Sequence, residues 1–187
     1  IDPAPGSRVG TCAWNTREHL AALLATYAGG KVWVPLNPRN GNAELESMVA
    51  ATRPSILVVD ESCLDKVSPG DMSVVVGRPL TAHRSPLTGD SVASLIRHHR
   101  GRKPAPVQRS AESDQVIKFS GGSTGRPKAI RQPVRCINAQ ATAIGRAFGF
   151  DSTDVNLIAA PITHGTSCFL LPVLAAGGKH VLLEKPT

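Results

Sequence analysis

Runs of apolar residues alternate along the chain with segments that have helical spacing. Two continuous apolar runs, "SILVVD" (55–60) and "SVVVG" (73–77), are typical of strands that are buried on both faces of a parallel sheet. Similar apolar patterns predict five more strands, at 8–13, 31–36, 115–119, 155–160 and 179–184. The chain therefore contains enough strands for more than a single hairpin, and their connections decide the fold class.

Helical periodicity fills most of the gaps between these strands. Asn15 can cap a helix that carries Leu20, Leu23 and Leu24 and ends at the glycine pair 29–30. Further helices are predicted at 42–51, 91–99, 134–148 and 166–176. Strand–helix alternation of this kind predicts an α/β fold, in which mostly parallel sheets are covered by helices.

Composition sets the size and the surroundings of this fold. The 187 residues are 41% hydrophobic and only 4% aromatic, so a core must be built from Ala, Val, Leu and Ile. No apolar run reaches the length of a membrane span, and the N-terminus lacks a signal-peptide pattern. We expect a cytoplasmic protein without a transmembrane segment. Its cysteines are predicted to be reduced, buried thiols: Cys12, Cys63, Cys136 and Cys168.

Most of the net charge of +7 lies in one short segment. Residues 97–109, "RHHRGRKPAPVQR", hold five Arg or Lys side chains and no acid. Aromatic residues, which would stack on bases, are absent from this run, so we interpret it as a solvated linker without a nucleic-acid partner. Its prolines mark an internal boundary, which divides the chain into a first α/β subdomain at 1–110 and the beginning of a second at 111–187.

The segment "FSGGSTGRPKAI" (119–130) is too rich in glycine for a regular element and predicts a loop. It follows a strand, and we expect a helix shortly after it, a position where ligands of open α/β sheets bind. Its backbone N–H groups, hydroxyls and ammonium group suit a phosphate. The candidate phosphate-binding residues are Ser120, Gly121, Gly122, Ser123, Thr124, Gly125 and Lys128. The spacing differs from a Walker A loop, because Arg126 and Pro127 separate Gly125 from Lys128.

This loop resembles the phosphate-binding signature of the adenylate-forming (AMP-binding) superfamily, in particular its acyl-CoA synthetase and aryl-CoA ligase branch. The usual form is Y/F-T-S-G-S-T-G-x-P-K-G. Here Ser120 keeps the first hydroxyl, Gly121 replaces the first Ser, and Ala129 replaces the last Gly. Two further segments are similar in order and spacing: 29–60 resembles the family's G-A-V-x-V-P-L-N-P segment, and 160–184 resembles its P-x-x-H-x-x-G region.

The resemblance implies part of the large N-terminal domain of an enzyme that activates a fatty or aryl acid. Such an enzyme uses ATP to form an acyl-adenylate, and coenzyme A then takes the acyl group as a thioester. ATP, coenzyme A and the acid are the implied partners, and Mg²⁺ is an implied cofactor whose ligand is expected outside this chain. Lys128 and His164 are the implied catalytic residues, and Gly165 is expected to line the same pocket as His164.

The resemblance also implies that much of the enzyme is missing. Family members are roughly three times this length, so the small C-terminal domain is expected to be absent, and residues 1–187 alone are expected to be inactive. The opening on Ile1, without an initiator methionine, suggests a trimmed or partly observed chain. Two alternatives remain: a non-catalytic nucleotide-binding module derived from such an enzyme and, more distantly, a nucleic-acid-binding protein that uses residues 97–109.

Overall fold

A computed structural model describes residues 4–68, 70–77, 91–120 and 127–185. The strands are β1 (Arg8–Cys12), β2 (Val32–Leu36), β3 (Ile56–Val59), β4 (Ser73–Val76), β5 (Asp114–Ser120), β6 (Lys128–Pro133), β7 (Val155–Ile158) and β8 (Lys179–Leu182). The α-helices are α1 (Arg17–Ala28), α2 (Asn42–Thr52), α3 (Val92–His98), α4 (Val134–Phe148) and α5 (Leu170–Ala175). Short 3₁₀ helices lie at Glu61–Cys63 and Gly165–Phe169.

Two sheets organise the described residues. The first has the strand order β4-β3-β1-β2-β5-β6 and is parallel except for the pair β5–β6, and the second is the parallel pair β7–β8. The prediction of an α/β fold with mostly parallel sheets is confirmed. β5 and β6 follow the proposed boundary at residue 110 and extend the sheet built from the strands before it, so the two proposed subdomains share this sheet.

Strand β6, which was not predicted from the sequence, lies between the glycine-rich loop and the predicted helix at 134–148. The chain returns antiparallel to β5 before α4 begins at Val134. β6 lies at the sheet edge, and its first four residues are exposed, so it shows none of the apolar alternation that would identify it. An ion pair links its side chains to β5: Arg131 Nε donates to both carboxylate oxygens of Asp114, at 3.0 and 2.8 Å.

The helix predicted at 166–176 is divided into a 3₁₀ helix and α5. Pro172 supplies a physical reason, because it has no N–H to donate to the carbonyl group of residue 168. The α-helical hydrogen-bond pattern therefore cannot extend unbroken back through the Gly165–Phe169 segment, which adopts the tighter turn instead.

The first sheet is covered on both faces. One cluster of buried residues joins Val9, Val58 and Val75 of the sheet to Ala22 of α1 and Val92 of α3. The other face packs against α2 and the turn after β3. Its buried residues are Cys12, Val32, Val34, Leu36, Leu45, Met48, Leu57, Val59, Cys63, Val67 and Ile117. Burial on both faces explains why the central strands are continuous apolar runs.

A third apolar cluster joins the two sheets. On one side are Leu23 of α1, Trp33 of β2 and Val116 of β5. On the other are the buried side chains of the second sheet and its connections: Ile158, Ile162 and Leu170. Full burial of each of these large side chains contributes about 1.5–3 kcal/mol to the free energy of folding relative to exposure. The packing of this cluster therefore holds the two sheets together.

The cap of α1 differs from the expected one. The hydroxyl of Thr16 accepts from the His19 backbone N–H at 3.1 Å and caps the helix. Asn15 precedes the cap residue, and its side chain bonds to residues outside the helix. Both are residue types that favour this position, so sequence preference alone does not separate them.

The buried Asn15 amide bridges the two sheets. Its Nδ2 lies 3.0 Å from the Ala160 carbonyl oxygen and 3.2 Å from that of Leu183. The Ile158 carbonyl oxygen is 3.4 Å away, and Asn15 Oδ1 accepts from the Ile162 N–H at 2.9 Å. One side chain just beyond the end of β1 thus satisfies backbone groups at the carboxyl ends of both β7 and β8.

A buried chain of hydrogen bonds lies beside this bridge. Trp33 Nε1 donates to the Thr11 hydroxyl at 2.7 Å, and that hydroxyl lies 3.4 Å from His19 Nε2. His19 Nδ1 lies 3.0 Å from the Trp14 carbonyl oxygen, which can only accept, so Nδ1 carries a proton. Burial lowers the pKa of His19 from its ordinary value of 6.5.

The basic segment is only partly a solvated linker. Four of its cations are exposed, at Arg97, Arg100, Arg102 and Lys103. Arg109 is half-buried and donates to the carbonyl oxygens of Gly30 and Asp114. Gly30 has φ +64°, and a Cβ there would meet Val107 Cγ1. The end of the segment is therefore packed against the turn between α1 and β2.

Replacing Asn15 by Ala is expected to lower the free energy of unfolding by about 1–3 kcal/mol, because it removes the hydrogen bonds of the amide to the buried Ile162 N–H and to part-buried carbonyl groups. Chemical denaturation monitored by circular dichroism measures this. The matched control is Asn138→Ala on the exposed surface of α4, which is expected to change stability by less than about 0.5 kcal/mol. Equal effects of the two substitutions would contradict the bridging role.

Lowering the pH through 6.5 is expected to destabilise the protein through His19. Since its pKa is lower in the folded than in the unfolded state, the unfolded state binds the proton first, and stability falls below the unfolded pKa. The slope from this group is at most about 1.4 kcal/mol per pH unit. Denaturation between pH 5 and 8 measures it. His19→Gln should lose this part of the slope and His98→Gln, at the exposed end of α3, should retain it. An unchanged slope in His19→Gln would overturn the assignment.

Candidate functional site

The base of the glycine-rich loop is formed by two of the predicted site residues. Ser120 ends β5 and Lys128 begins β6, and the two are directly paired across the antiparallel ladder. Opposite residues in such a pair have their Cα atoms about 4.5–5.5 Å apart. The Lys128 side chain is exposed, while Ser120 is half-buried. The other predicted phosphate-binding residues, at 121–125, lie outside the described residues.

The carboxyl ends of the strands in both sheets face the same region. Asn15, three residues after β1, is bonded to the ends of β7 and β8, so these ends lie together with that of β1. A small cavity opens at this junction, lined in part by Trp14, Asn37, Pro161 and Glu184. The Lys185 ammonium group lies 5.3 Å from the centre of the Trp14 ring. In open α/β sheets this is the end at which ligands bind.

His164 and Gly165 lie where β7 leads into the Gly165–Phe169 helix. The His164 N–H donates to the Pro161 carbonyl oxygen at 3.0 Å, and its side chain is exposed. A Cβ built on Gly165 would meet no atom within 4 Å, so packing among the described residues does not require glycine there. Both residues are thus accessible at the surface beside the junction of the sheets.

Lys118 was not predicted from the sequence as a site residue, but its side chain contacts the segment that begins at His164. Its Nζ donates to the Ser167 hydroxyl at 2.8 Å and to the His164 carbonyl oxygen at 3.3 Å. It also lies 5.8 Å from the centre of the Trp33 ring. Burial lowers the pKa of Lys118. The one available signal was a lysine inside the otherwise apolar strand "VIKF" (116–119).

Comparisons with known proteins show the family of this chain. The family model described as "AMP-binding enzyme" matches residues 3–187. The chain belongs to the AMP-binding enzyme family. Mitochondrial malonate–CoA ligase ACSF3 of Mus musculus is 28% identical over 187 aligned residues, which cover 90% of this chain and 30% of the relative. The chloroplastic/peroxisomal 2-succinylbenzoate–CoA ligase of Arabidopsis thaliana is 30% identical, with 96% of this chain and 34% of the relative covered.

A solved structure of another AMP-binding enzyme has the same fold. The crystal structure of ATP-bound MatB from Rhodopseudomonas palustris superposes with a TM-score of 0.77 at 26% sequence identity. The match covers 97% of this chain and 36% of that one. The chain therefore spans about a third of the length of the AMP-binding enzymes it matches.

The segment after His164 divides between core and surface. Leu170 is 1% exposed and belongs to the cluster between the sheets. Phe169 packs edge-to-face on Phe148, with ring centres 5.5 Å apart. Cys168 lines a narrow pocket that it shares with Lys118 and Ser167. Leu170 lines the same pocket from the core side.

The most spacious of the described cavities lies away from all of these residues. It has a volume of about 340 Å³ and opens between α1 and α3, where it is lined mainly by apolar side chains such as Ala22, Val58 and Leu95. None of the predicted site residues lines it. Size alone does not identify the binding site of an AMP-binding enzyme here, and the strand ends are the better guide.

Neither a metal-binding cluster nor a helix able to span a membrane occurs in the residues that the structure describes. No three His, Cys, Asp or Glu side chains there gather as a metal site would require. Across the same ranges, every helix is too short or too polar to cross a lipid bilayer.

The thiols differ in exposure, which corrects the expectation that all four are buried. Cys12 and Cys63 are buried, Cys168 is half-buried and Cys136 is exposed on α4. An alkylating reagent is expected to modify Cys136 first, and Cys168 more slowly because burial raises its pKa. Cys12 and Cys63 should react only on unfolding. Timed labelling followed by mass spectrometry measures the order, and Cys136→Ser should remove the fast phase. Rapid native-state labelling of Cys12 or Cys63 would contradict the packing.

Proposed function

We propose that the protein containing this chain activates a carboxylic acid with ATP. The carboxylate attacks the α-phosphate of ATP, which gives an acyl-adenylate and pyrophosphate. The thiol of coenzyme A then attacks the acyl carbon and releases AMP, leaving a thioester. Because the chain spans about a third of its relatives, this is a proposal for the whole protein. The observation that carries it is the pairing of Ser120 with Lys128 at the base of the glycine-rich loop, within a family match that covers residues 3–187.

Lys128 and the loop residues are proposed to bind the phosphates of ATP. As the bond to the α-phosphate breaks, negative charge develops on the leaving pyrophosphate. Hydroxyl groups, backbone N–H groups and the Lys128 ammonium group would stabilise this charge. The exposed Lys128 side chain can reach a ligand without first breaking a buried contact. In this proposal the residues at 121–125 supply most of the donors, and Ser120 adds a hydroxyl at the base.

His164 and Gly165 are proposed to line the pocket where the acid meets the nucleotide. Their position beside the strand ends, next to Lys118 of β5, supports this role. Mg²⁺, which accompanies ATP in phosphate chemistry, would be held by groups outside the described residues, since these bring together no three suitable side chains. We place the protein in the cytoplasm, in line with four unpaired thiols. Residues 1–187 alone are proposed to be inactive, because such catalysis depends on positioning two substrates.

The acid itself is proposed to be a fatty or an aryl acid. The relatives add a further class to the test, because their names specify malonate and 2-succinylbenzoate, both of which carry two carboxyl groups. A panel should therefore contain fatty acids, aryl acids and short dicarboxylic acids. The full-length protein is incubated with ATP, Mg²⁺, coenzyme A and each acid, and AMP and thioester are followed by mass spectrometry. ATP binding without AMP or thioester from any acid would favour a non-catalytic nucleotide-binding module.

Lys128→Ala in the full-length protein is expected to lower kcat/KM for ATP by about 10- to 100-fold. The reason is the loss of a charge-assisted contact to phosphate, which is typically worth about 1.5–3 kcal/mol. The KM for the acid should change much less. Steady-state kinetics with each substrate varied in turn separates the two effects. Lys103→Ala, which removes an exposed cation of the basic segment, is the control and should leave both parameters near wild type. If the KM for the acid changed while the dependence on ATP did not, the assignment of Lys128 to the phosphate site would be contradicted.

A further inference from the structure

The Lys118 side chain crosses from the first sheet to the segment that begins at His164. Lys118 lies on β5, two residues before Ser120. Its ammonium group contacts the His164 carbonyl oxygen and the Ser167 hydroxyl, which lie 46 and 49 residues further along the chain. One side chain therefore connects the strand that leads into the glycine-rich loop with the helix that follows His164.

The hydrogen-bonding capacity of Lys118 is largely used within the protein. An ammonium group has three N–H donors. Two are directed to His164 and Ser167, and the charge also lies within reach of the Trp33 ring, at 5.8 Å from its centre. A group so engaged is poorly suited to bind a substrate carboxylate directly. Its contacts favour a role that acts through the segment it holds.

Ser167 contacts both Lys118 and the His164 carbonyl group. Its hydroxyl donates to the His164 carbonyl oxygen at 2.8 Å while accepting from Lys118. The same carbonyl accepts the Ser167 backbone N–H at 3.3 Å. Lys118, Ser167 and the His164 carbonyl group are therefore joined to one another by hydrogen bonds.

We propose that Lys118 is a positioning residue, which, together with Ser167, fixes His164 and the Gly165–Phe169 helix relative to β5 and the loop that follows it. This inference rests on the proposed function insofar as His164 lines the acid pocket. Lys118 touches neither substrate in this account. It sets the distance between the two segments that meet the acid and the nucleotide, and small misplacements of such segments reduce rates strongly.

The test uses Lys118→Met, Ser167→Ala and the double variant in the full-length protein. Methionine keeps the length of the side chain and packs against Trp33, so the fold should persist. We expect Lys118→Met to lower kcat by about 10- to 100-fold and to raise the KM for the acid, with the KM for ATP within about threefold of wild type. Ser167→Ala should have a smaller effect in the wild-type background and almost none in the Lys118→Met background, since both remove the same bond. Lys179→Met, at an exposed position of β8, is the control.

Hydrogen–deuterium exchange gives a second readout that does not need activity. Peptides covering 164–169 should exchange faster in Lys118→Met, while those covering α2 should not change. The inference would be overturned if the kinetic effects of the two single variants multiplied in the double variant. Unchanged hydrogen–deuterium exchange at 164–169 in Lys118→Met would overturn it as well. If the wild-type protein activates no acid, the proposed function fails, and the exchange experiment still decides whether Lys118 holds this segment.

Discussion

A single buried amide, that of Asn15, determines how the two sheets meet. The carboxyl ends of parallel strands carry backbone carbonyl groups, which need hydrogen-bond partners where they are shielded from water. Asn15 supplies both donor and acceptor capacity there and bonds to Ile158, Ala160, Leu183 and Ile162, which lie 143 to 168 residues away along the chain. Apolar packing around Trp33 gives the junction its strength, but that packing is not directional. The amide fixes the relative placement of the strand ends, and a site built from loops at those ends depends on it.

A second polar link joins the first sheet to the segment that follows β7. Lys118 of β5 is half-buried, and this burial lowers its pKa. Its bonds to His164 and Ser167 compensate for the burial. The consequence is that His164 is held by its backbone while its side chain stays exposed.

Much of the fold followed from local pattern, and the exceptions have identifiable causes. Strands β3 and β4 and helix α4 lie close to their predicted limits, because apolar runs and helical spacing record burial directly. β6 was missed since an exposed edge strand needs no apolar pattern. The strand predicted at 155–160 is present as β7, but its Val155 and Leu157 are each 61% exposed, so its apolar pattern does not correspond to burial among the described residues. In the candidate site, the loop motif predicted Ser120 and Lys128, which the structure pairs across β5 and β6. Lys118 and Asn15 contact partners distant in sequence, and those partners cannot be predicted from local pattern.

Pyrophosphate exchange tests the central claim most directly. The full-length protein is mixed with ATP, Mg²⁺, labelled pyrophosphate and each acid of the panel in the absence of coenzyme A, and the label that enters ATP is counted. Reversible formation of an acyl-adenylate predicts that label enters ATP only when the right acid is present, and that Lys128→Ala suppresses the exchange. Saturable binding of ATP with no acid-dependent exchange, in a folded protein and across all acid classes, would contradict the account.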